Sequence, residues 1–275
     1  MIFASALRIA LLLSLSILIF LIGSIIWEGG KAISLDFIFS EAKDFGASGG
    51  IKYQIIGSLI LIAVAAILVL PLAIGTAIFR SEYVKSHSLG RRIDLAIFSL
   101  NGIPSITYGL FGLIIFVNIL GIGVSWIIGS ILLAMMILPT VTVSTYQAMR
   151  VIPQIYRENA AALGLSRAQM IRRVILPQSW HGVITGLLIG LARAIGETAP
   201  IMFVATAFSG VAWPHSLTEP VSTLPTHILA LAQQATNPDA LRNAWGASFS
   251  LILLVLLFSS LAYVARHKLH PGRPR

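Results

Sequence analysis

Six stretches of the chain are apolar at nearly every position, and polar residues gather in the gaps between them. They run roughly Leu7–Ile26, Gln54–Phe79, Ile93–Asn118, Ser125–Ala148, Gly182–Ser209 and Gly246–Val264. A helix needs about 20 such residues to cross a bilayer. Hydrocarbon offers no water to stray backbone groups, so each stretch predicts a spanning helix rather than an open strand. Leu120-Gly121-Ile122-Gly123 is a very short connector before the fourth stretch. Pro71, Pro104 and Pro139 fall inside stretches, where each removes a backbone donor and predicts a kink. The first stretch exceeds a signal-peptide core and no A-x-A site follows it, so it predicts a retained span.

Composition agrees with lipid as the solvent. Of 275 residues, 57% are hydrophobic and 11% charged, against about 25% charged in soluble domains. The absence of cysteine excludes disulfides, thiol catalysis and thiolate metal sites. The net charge of +9 is not a nucleic-acid signal, because the basic residues are spread over four loops. With the N-terminus inside, 14 of the 19 Lys and Arg fall in inside segments. Lys31, Lys43, Lys52 and Arg242 fall outside, and Arg193 sits within a span. This asymmetry predicts both termini in the cytoplasm. The chain therefore reads as one transmembrane domain over residues 1–275, all-α, with two longer outside segments at about 28–53 and 210–245. Those segments are either simple connections or a docking surface for an extracytoplasmic partner.

The longest inside loop, 149–181, predicts two short helices. Pro153 suits a first helical position, and Gly164 suits a helix end after Leu163. Ser166 and Gln169 have capping-box spacing for a second helix, expected to stop before Pro177. Ala160, Ala161 and Ala162 are small enough for close approach to another surface.

The fifth stretch carries Arg193 and Glu197, spaced i, i+4. Ionisable groups at membrane depth are expensive and by default functional. Arg before Glu is the weaker order for a helical pair, which disfavours plain helix stabilisation. Gly182, Gly186, Gly190 and Ala194 recur every four residues and predict close helix packing. Each charge is seven residues beyond a glycine, so the pair shares that face and looks onto protein or a water-filled path. The planar guanidinium suits a phosphate-like oxyanion. In one reading Arg193 meets such an anion in transit while Glu197 orients it. In the other, the two form a structural ion pair locking helices.

Two motifs resemble known families. Glu158-Asn159-Ala160-Ala161-Ala162-Leu163-Gly164, nine residues, then Val174-Ile175-Leu176-Pro177 is similar to the loop motif of ABC importer permeases. Asn159 and Val174 depart mildly from it. The resemblance implies a six-helix importer permease with a cytoplasmic coupling helix. It also implies that Arg157, Glu158, Asn159, Ala160, Ala161, Gly164, Leu176 and Pro177 dock an ATPase. Ala192 to Pro200, including Ile195-Gly196-Glu197-Thr198-Ala199, closely resembles a signature of the phosphate-specific ABC permeases, in its ending the A-type more than the C-type subunit. Gly49-Gly50-Ile51, Ser81-Glu82-Tyr83, Ile103-Pro104-Ser105, Gly109-Leu110-Phe111-Gly112 and Ala244-Trp245-Gly246 agree. The likeness covers most of residues 49–264.

That family implies phosphate import through a bacterial plasma membrane, with Arg193 and Glu197 on the pathway and Ser105 and Thr198 able to line it. It implies a related permease as heterodimer partner, two cytoplasmic ATPase subunits and an extracytoplasmic phosphate-binding protein. ATP is hydrolysed by the partner: the chain lacks a GKS/GKT phosphate loop and is expected to bind no cofactor or metal itself. Three alternatives stay open: a permease for another oxyanion such as molybdate or sulfate, an intramembrane enzyme, and a passive channel. The six histidines (His87, His181, His215, His227, His267 and His270) all lie outside span cores and argue against the second. The docking loop argues against the third.

Overall fold

The computed structural model describes the backbone of residues 2–206 and 213–268 and the side chains of 5–206 and 213–265. The end of the fifth stretch, 207–209, part of the outer segment after it, and the basic side chains of the tail lie outside these residues. Helix α1 (Ile2–Ala32) leads to a short α2 (Leu35–Phe39). A two-stranded antiparallel hairpin follows, β1 (Ala42–Lys43) and β2 (Ser48–Gly49). Then come α3 (Lys52–Ile78), α4 (His87–Gly102), α5 (Ser105–Gly112) and α6 (Trp126–Val151). The loop at 149–181 holds α7 (Gln154–Ala162) and α8 (Arg167–Met170). Helices α9 (Leu176–Ala194), α10 (Ala199–Val204), α11 (Leu224–Ala232) and α12 (Pro238–Lys268) complete the described chain. Among the described residues, five helices are long and apolar enough to cross a membrane, and six if the bent α4–α5 pair is one span.

The core is a three-helix contact of α3, α6 and α9. Leu61, Ala65 and Val69 of α3 meet Leu132, Leu133, Ile137 and Val141 of α6, with Leu191 and Ala194 of α9. Lipid tails are as apolar as leucine, so burial alone does not draw such helices together; close approach and dispersion do. Gly182, Gly186 and Gly190 provide that approach. A Cβ on Gly182 would lie 2.2 Å from the Ala148 Cβ, and one on Gly186 2.6 Å from the Ser144 Cβ. Ser144 Oγ donates to the Gly182 carbonyl at 2.8 Å. Helix α1 instead leaves its whole apolar window unburied and packs along α12.

Three expectations about helix ends are corrected. The third stretch is not one kinked helix: α4 and the segment Ser105–Ile119 meet at 90°. Ile103 is extended (φ −71°, ψ 127°), as the residue before a proline prefers, and Pro104 has no N–H with which to continue the ladder. Conversely, the helix after the capping box does not stop before Pro177. Residues Arg167–Ala194 form one helix of 28 residues. A wide turn at Ile171–Ile175, closed by the Leu176 N–H bonding the Ile171 carbonyl, precedes the proline. The helix therefore passes Pro177 in its first α-turn, where a missing donor costs little. Pro153 is the residue before α7 rather than its first, with ψ 143°.

The glycine contact predicts that Gly182→Val forces α9 off α6. The expected loss is about 2 kcal/mol or more of folded stability, read as a lower unfolding midpoint in detergent. Gly23→Val, with nothing within 4 Å of a Cβ, is the control and should leave the midpoint in place.

Candidate functional site

The loop at 149–181 and the fifth helix form the two ends of one rod. At the loop end, α7 finishes with Gly164 at φ +76°, and the Leu165 N–H reaches back to the Ala160 carbonyl at 3.0 Å. The capping box is complete: Ser166 Oγ accepts from the Gln169 N–H at 3.3 Å, and Gln169 Oε1 accepts from the Ser166 N–H at 2.9 Å. Glu158, Asn159, Ala161 and Gly164 face outward, with Ile155 and Leu163 beside them. Leu163 is 81% exposed, a bare apolar side chain at the apex of the loop. Ala160 is turned inward. Leu176 packs against Met149, Ile152 and Ile175, while Pro177 is exposed.

Arg157 is placed differently from its neighbours. Its guanidinium points into the protein, where Nε and Nη2 donate to the two oxygens of Glu82 at 3.2 and 2.9 Å. It also donates to the carbonyls of Ile152 and Met149, at 2.9 and 3.1 Å. It thus satisfies carbonyls at the C-terminus of α6 and pins α7 to the turn that follows α3. The Glu82 side chain is only 4% exposed. Arg167 lies over the Tyr83 ring at 5.2 Å and adds a second tie. Glu82 entered the sequence reading only within the Ser81-Glu82-Tyr83 segment, with no role and no partner assigned to it.

At the other end, α9 stops at Ala194, and Ile195–Thr198 is a turn before α10. The charges are therefore not in mid-helix. Arg193 ends one helix and Glu197 lies in the break, their nearest atoms 3.5 Å apart. Arg193 Nη1 also donates to Asn101 Oδ1 at 3.3 Å. Asn101 closes α4, immediately before the break at Ile103–Pro104. Two interruptions thus meet across one arginine. Beyond them α5 and α10 pack together so closely that a Cβ on Gly109 would lie 2.9 Å from the Pro200 Cα. Ser105 opens α5 and Thr198 precedes α10; both are half-buried near the breaks. Gly190 packs on Ile137 and Val141, near the middle of α6, so Arg193 lies one turn beyond the middle of that span. Its side chain is 42% exposed, on a face that this chain leaves open, while that of Glu197 is 17% exposed. A lone asparagine two residues before Ile-Pro in an apolar stretch was the missed signal for Asn101.

On the opposite side from the loop, the hairpin rests on α11 and α12. Asn243 Nδ2 donates to the carbonyls of Gly46 and Ala47, both at 3.0 Å. His227 is buried against Gly46, and desolvation lowers its pKa to about 4. The exposed Glu219 carboxylate is held below its ordinary range by the His215 N–H that donates to it.

Two interrupted helices that meet beside a polar cluster, with a clamped helical loop at the other end of the same rod, suit a membrane permease. The fold is similar to chains of solved ABC transporters. With one from a bacterial alginate transporter, in complex with an alginate-bound periplasmic protein, the TM-score is 0.65 at 18% identity, covering 97% of this chain and 96% of that one. With one from the inward-facing MetNI methionine transporter it is 0.60 at 16% identity, covering 81% and 95%. Residues 70–273 match the binding-protein-dependent transport system inner membrane component, and the chain belongs to that family. It is 32% identical over 259 residues to the probable ABC transporter permease YqgI of Bacillus subtilis, covering 90% of this chain and 88% of that one. It is 34% identical over 266 residues to the phosphate transport permease PstA of Yersinia pestis, covering 94% and 88%. It is 34% identical over 221 residues to the probable PstA of Methanocaldococcus jannaschii, covering 80% and 77%.

The Glu82 contacts predict that Arg157→Ala leaves the buried carboxylate with only the Ser81 hydroxyl as a hydrogen-bond partner and costs about 3 kcal/mol locally. The loop should loosen, so trypsin should cut at Arg167 and Arg172 at least tenfold faster than in the unaltered protein. Equal cutting rates would show that the loop does not depend on the clamp. For His227, the unfolded chain takes up its proton near pH 6.5 and the folded chain only near 4. The folded state therefore binds fewer protons between these values, and stability should fall as pH drops from about 6.5 toward 4. The unfolding midpoint should fall less steeply in His227→Gln.

Proposed function

We propose that this chain is one permease half of an ATP-driven importer, and that its cargo is inorganic phosphate. The observation that carries this reading is Arg193, held between Asn101 and Glu197 where two spans break, with an open face. A guanidinium stays charged at any relevant pH and matches the geometry of a phosphate oxyanion. Glu197 and Asn101 hold it in place and take up part of its bonding capacity, so the anion is bound without being trapped. Ser105 and Thr198 add hydroxyls beside the same breaks. The named phosphate permeases among its relatives support phosphate over molybdate or sulfate.

The open face belongs to a second, related permease, so that phosphate passes between the two halves. Each half receives one cytoplasmic ATPase subunit, and an extracytoplasmic phosphate-binding protein delivers the cargo to the opposite side. The outward residues of α7, namely Glu158, Asn159, Ala161, Ile155 and Leu163, form the ATPase contact. Arg157, bound to Glu82, positions that helix instead of touching the ATPase. ATP is hydrolysed entirely in the ATPase subunits, and this chain binds no cofactor. Both termini are cytoplasmic, in keeping with the distribution of its basic residues.

Arg193→Gln should lower ATP-dependent uptake of radiolabelled phosphate at least tenfold, equivalent to about 1.4 kcal/mol, while the permease still co-purifies with its ATPase. Uptake that survives the change removes Arg193 from the pathway. Competition by molybdate or sulfate that equals competition by phosphate removes the cargo assignment but keeps the importer.

A further inference from the structure

Helix α4 carries more than Asn101 on the face that meets Arg193. Counting back from Asn101, Asp94, Arg91 and His87 follow at intervals of seven, three and four residues, the recurrence of a single helical face. The two ends of this face differ. One end reaches Arg193 through Asn101. The other opens into a cavity of about 330 Å³ at the inside corner between α3 and α4, lined by Arg80, Lys85, Ser86, His87, Arg91 and Asp94. Arg91 lies about 15 Å along the helix from Asn101.

The charge in this cavity is not balanced. Asp94 is engaged by Arg80 through two parallel bonds, Nε to Oδ1 at 2.9 Å and Nη2 to Oδ2 at 2.8 Å. Arg80 is further fixed by the Tyr146 ring, 5.1 Å below its guanidinium. Lys85 and Arg91 enter no ion pair among the described residues. Two uncompensated cations around one concave site raise the local concentration of anions. The arginine fork and the ammonium together suit a tetrahedral oxyanion.

We infer that this corner is a second oxyanion site, on the cytoplasmic side, which receives phosphate leaving Arg193 before it enters the cytoplasm. This rests on the reading of the chain as a phosphate permease. Two cationic sites on one helix face, about 15 Å apart, divide the anion's path into shorter steps. Conduction also requires each site to bind weakly enough to let go, and the open, partly solvated corner meets that need. An acidic phospholipid headgroup carries the same chemistry. Free phosphate is favoured because the face leads back to Arg193 through Asn101.

The test uses the assembled, nucleotide-free permease–ATPase complex in nanodiscs of neutral lipid, with binding of radiolabelled inorganic phosphate measured by equilibrium dialysis. In an Arg193→Gln background, phosphate binding should persist. Adding Lys85→Gln and Arg91→Gln together should weaken it at least tenfold, while Arg91→Lys, which keeps the charge, should weaken it less than threefold. Complexes that co-purify with ATPase in normal yield show that the variants fold. No phosphate binding in the Arg193→Gln background, or binding indifferent to the double substitution, overturns the site. So does a double variant that loses co-purifying anionic phospholipid, by mass spectrometry, while its phosphate binding is unchanged. Uptake by the unaltered complex, scored in parallel, separates the two readings: its absence defeats the cargo assignment, whereas its presence with a negative dialysis result defeats only this site.

Discussion

Helix α9 can do nothing unless it sits directly on α6. Between lipid-facing helices there is no hydrophobic gain, so the contact rests on how near the two backbones come. Gly182, Gly186 and Gly190 supply that nearness, one glycine per turn, against Ala148, Ser144, Val141 and Ile137. The buried residues of α3 close over the same seam from the other side. The loop helices α7 and α8 lie at one end of this helix, and Arg193 lies in its last turn.

The two ends are stabilised by opposite means. The loop end is tied down by Arg157, which spends its donors on Glu82 and on two carbonyls of the α6 terminus, so that α7 cannot shift without moving α3 and α6. The Arg193 end is loosened by design of the backbone. Ile103-Pro104 and Gly196 through Pro200 break two helices side by side, leaving polar groups at membrane depth where an unbroken helix would have none. Irregular backbone at that depth is tolerated only against protein or a water-filled cavity. The open face of Arg193 thus fits a subunit completed by its neighbour.

Much of this was legible from residue order. Apolar run lengths gave the spans, because lipid imposes the same arithmetic on every chain. Ser166, Gln169 and Gly164 announced the loop helices, since caps are local chemistry. Three features were not legible. The 90° turn at Pro104 was expected only as a kink: proline marks where a helix breaks, not how far its halves diverge. The continuous helix through Pro177 depends on the wide turn at Ile171–Ile175, which has no composition of its own. The partnerships of Arg157 with Glu82 and Arg193 with Asn101 join residues 75 and 92 positions apart, and no local pattern encodes them.

The passage of the helix through Pro177 has a mechanical consequence. Because Arg167–Ala194 is one helix of 28 residues, it is a stiff lever about 42 Å long. A tilt of only about 5° applied at the Arg167 end would carry the far end through roughly 4 Å, more than the length of a hydrogen bond. Had the helix stopped before the proline, a hinge would lie between the motor and the cargo, and small rotations would be absorbed there. A continuous helix passes a displacement near residue 167 on toward the contact between Arg193 and Asn101 with less loss than two separate helices would.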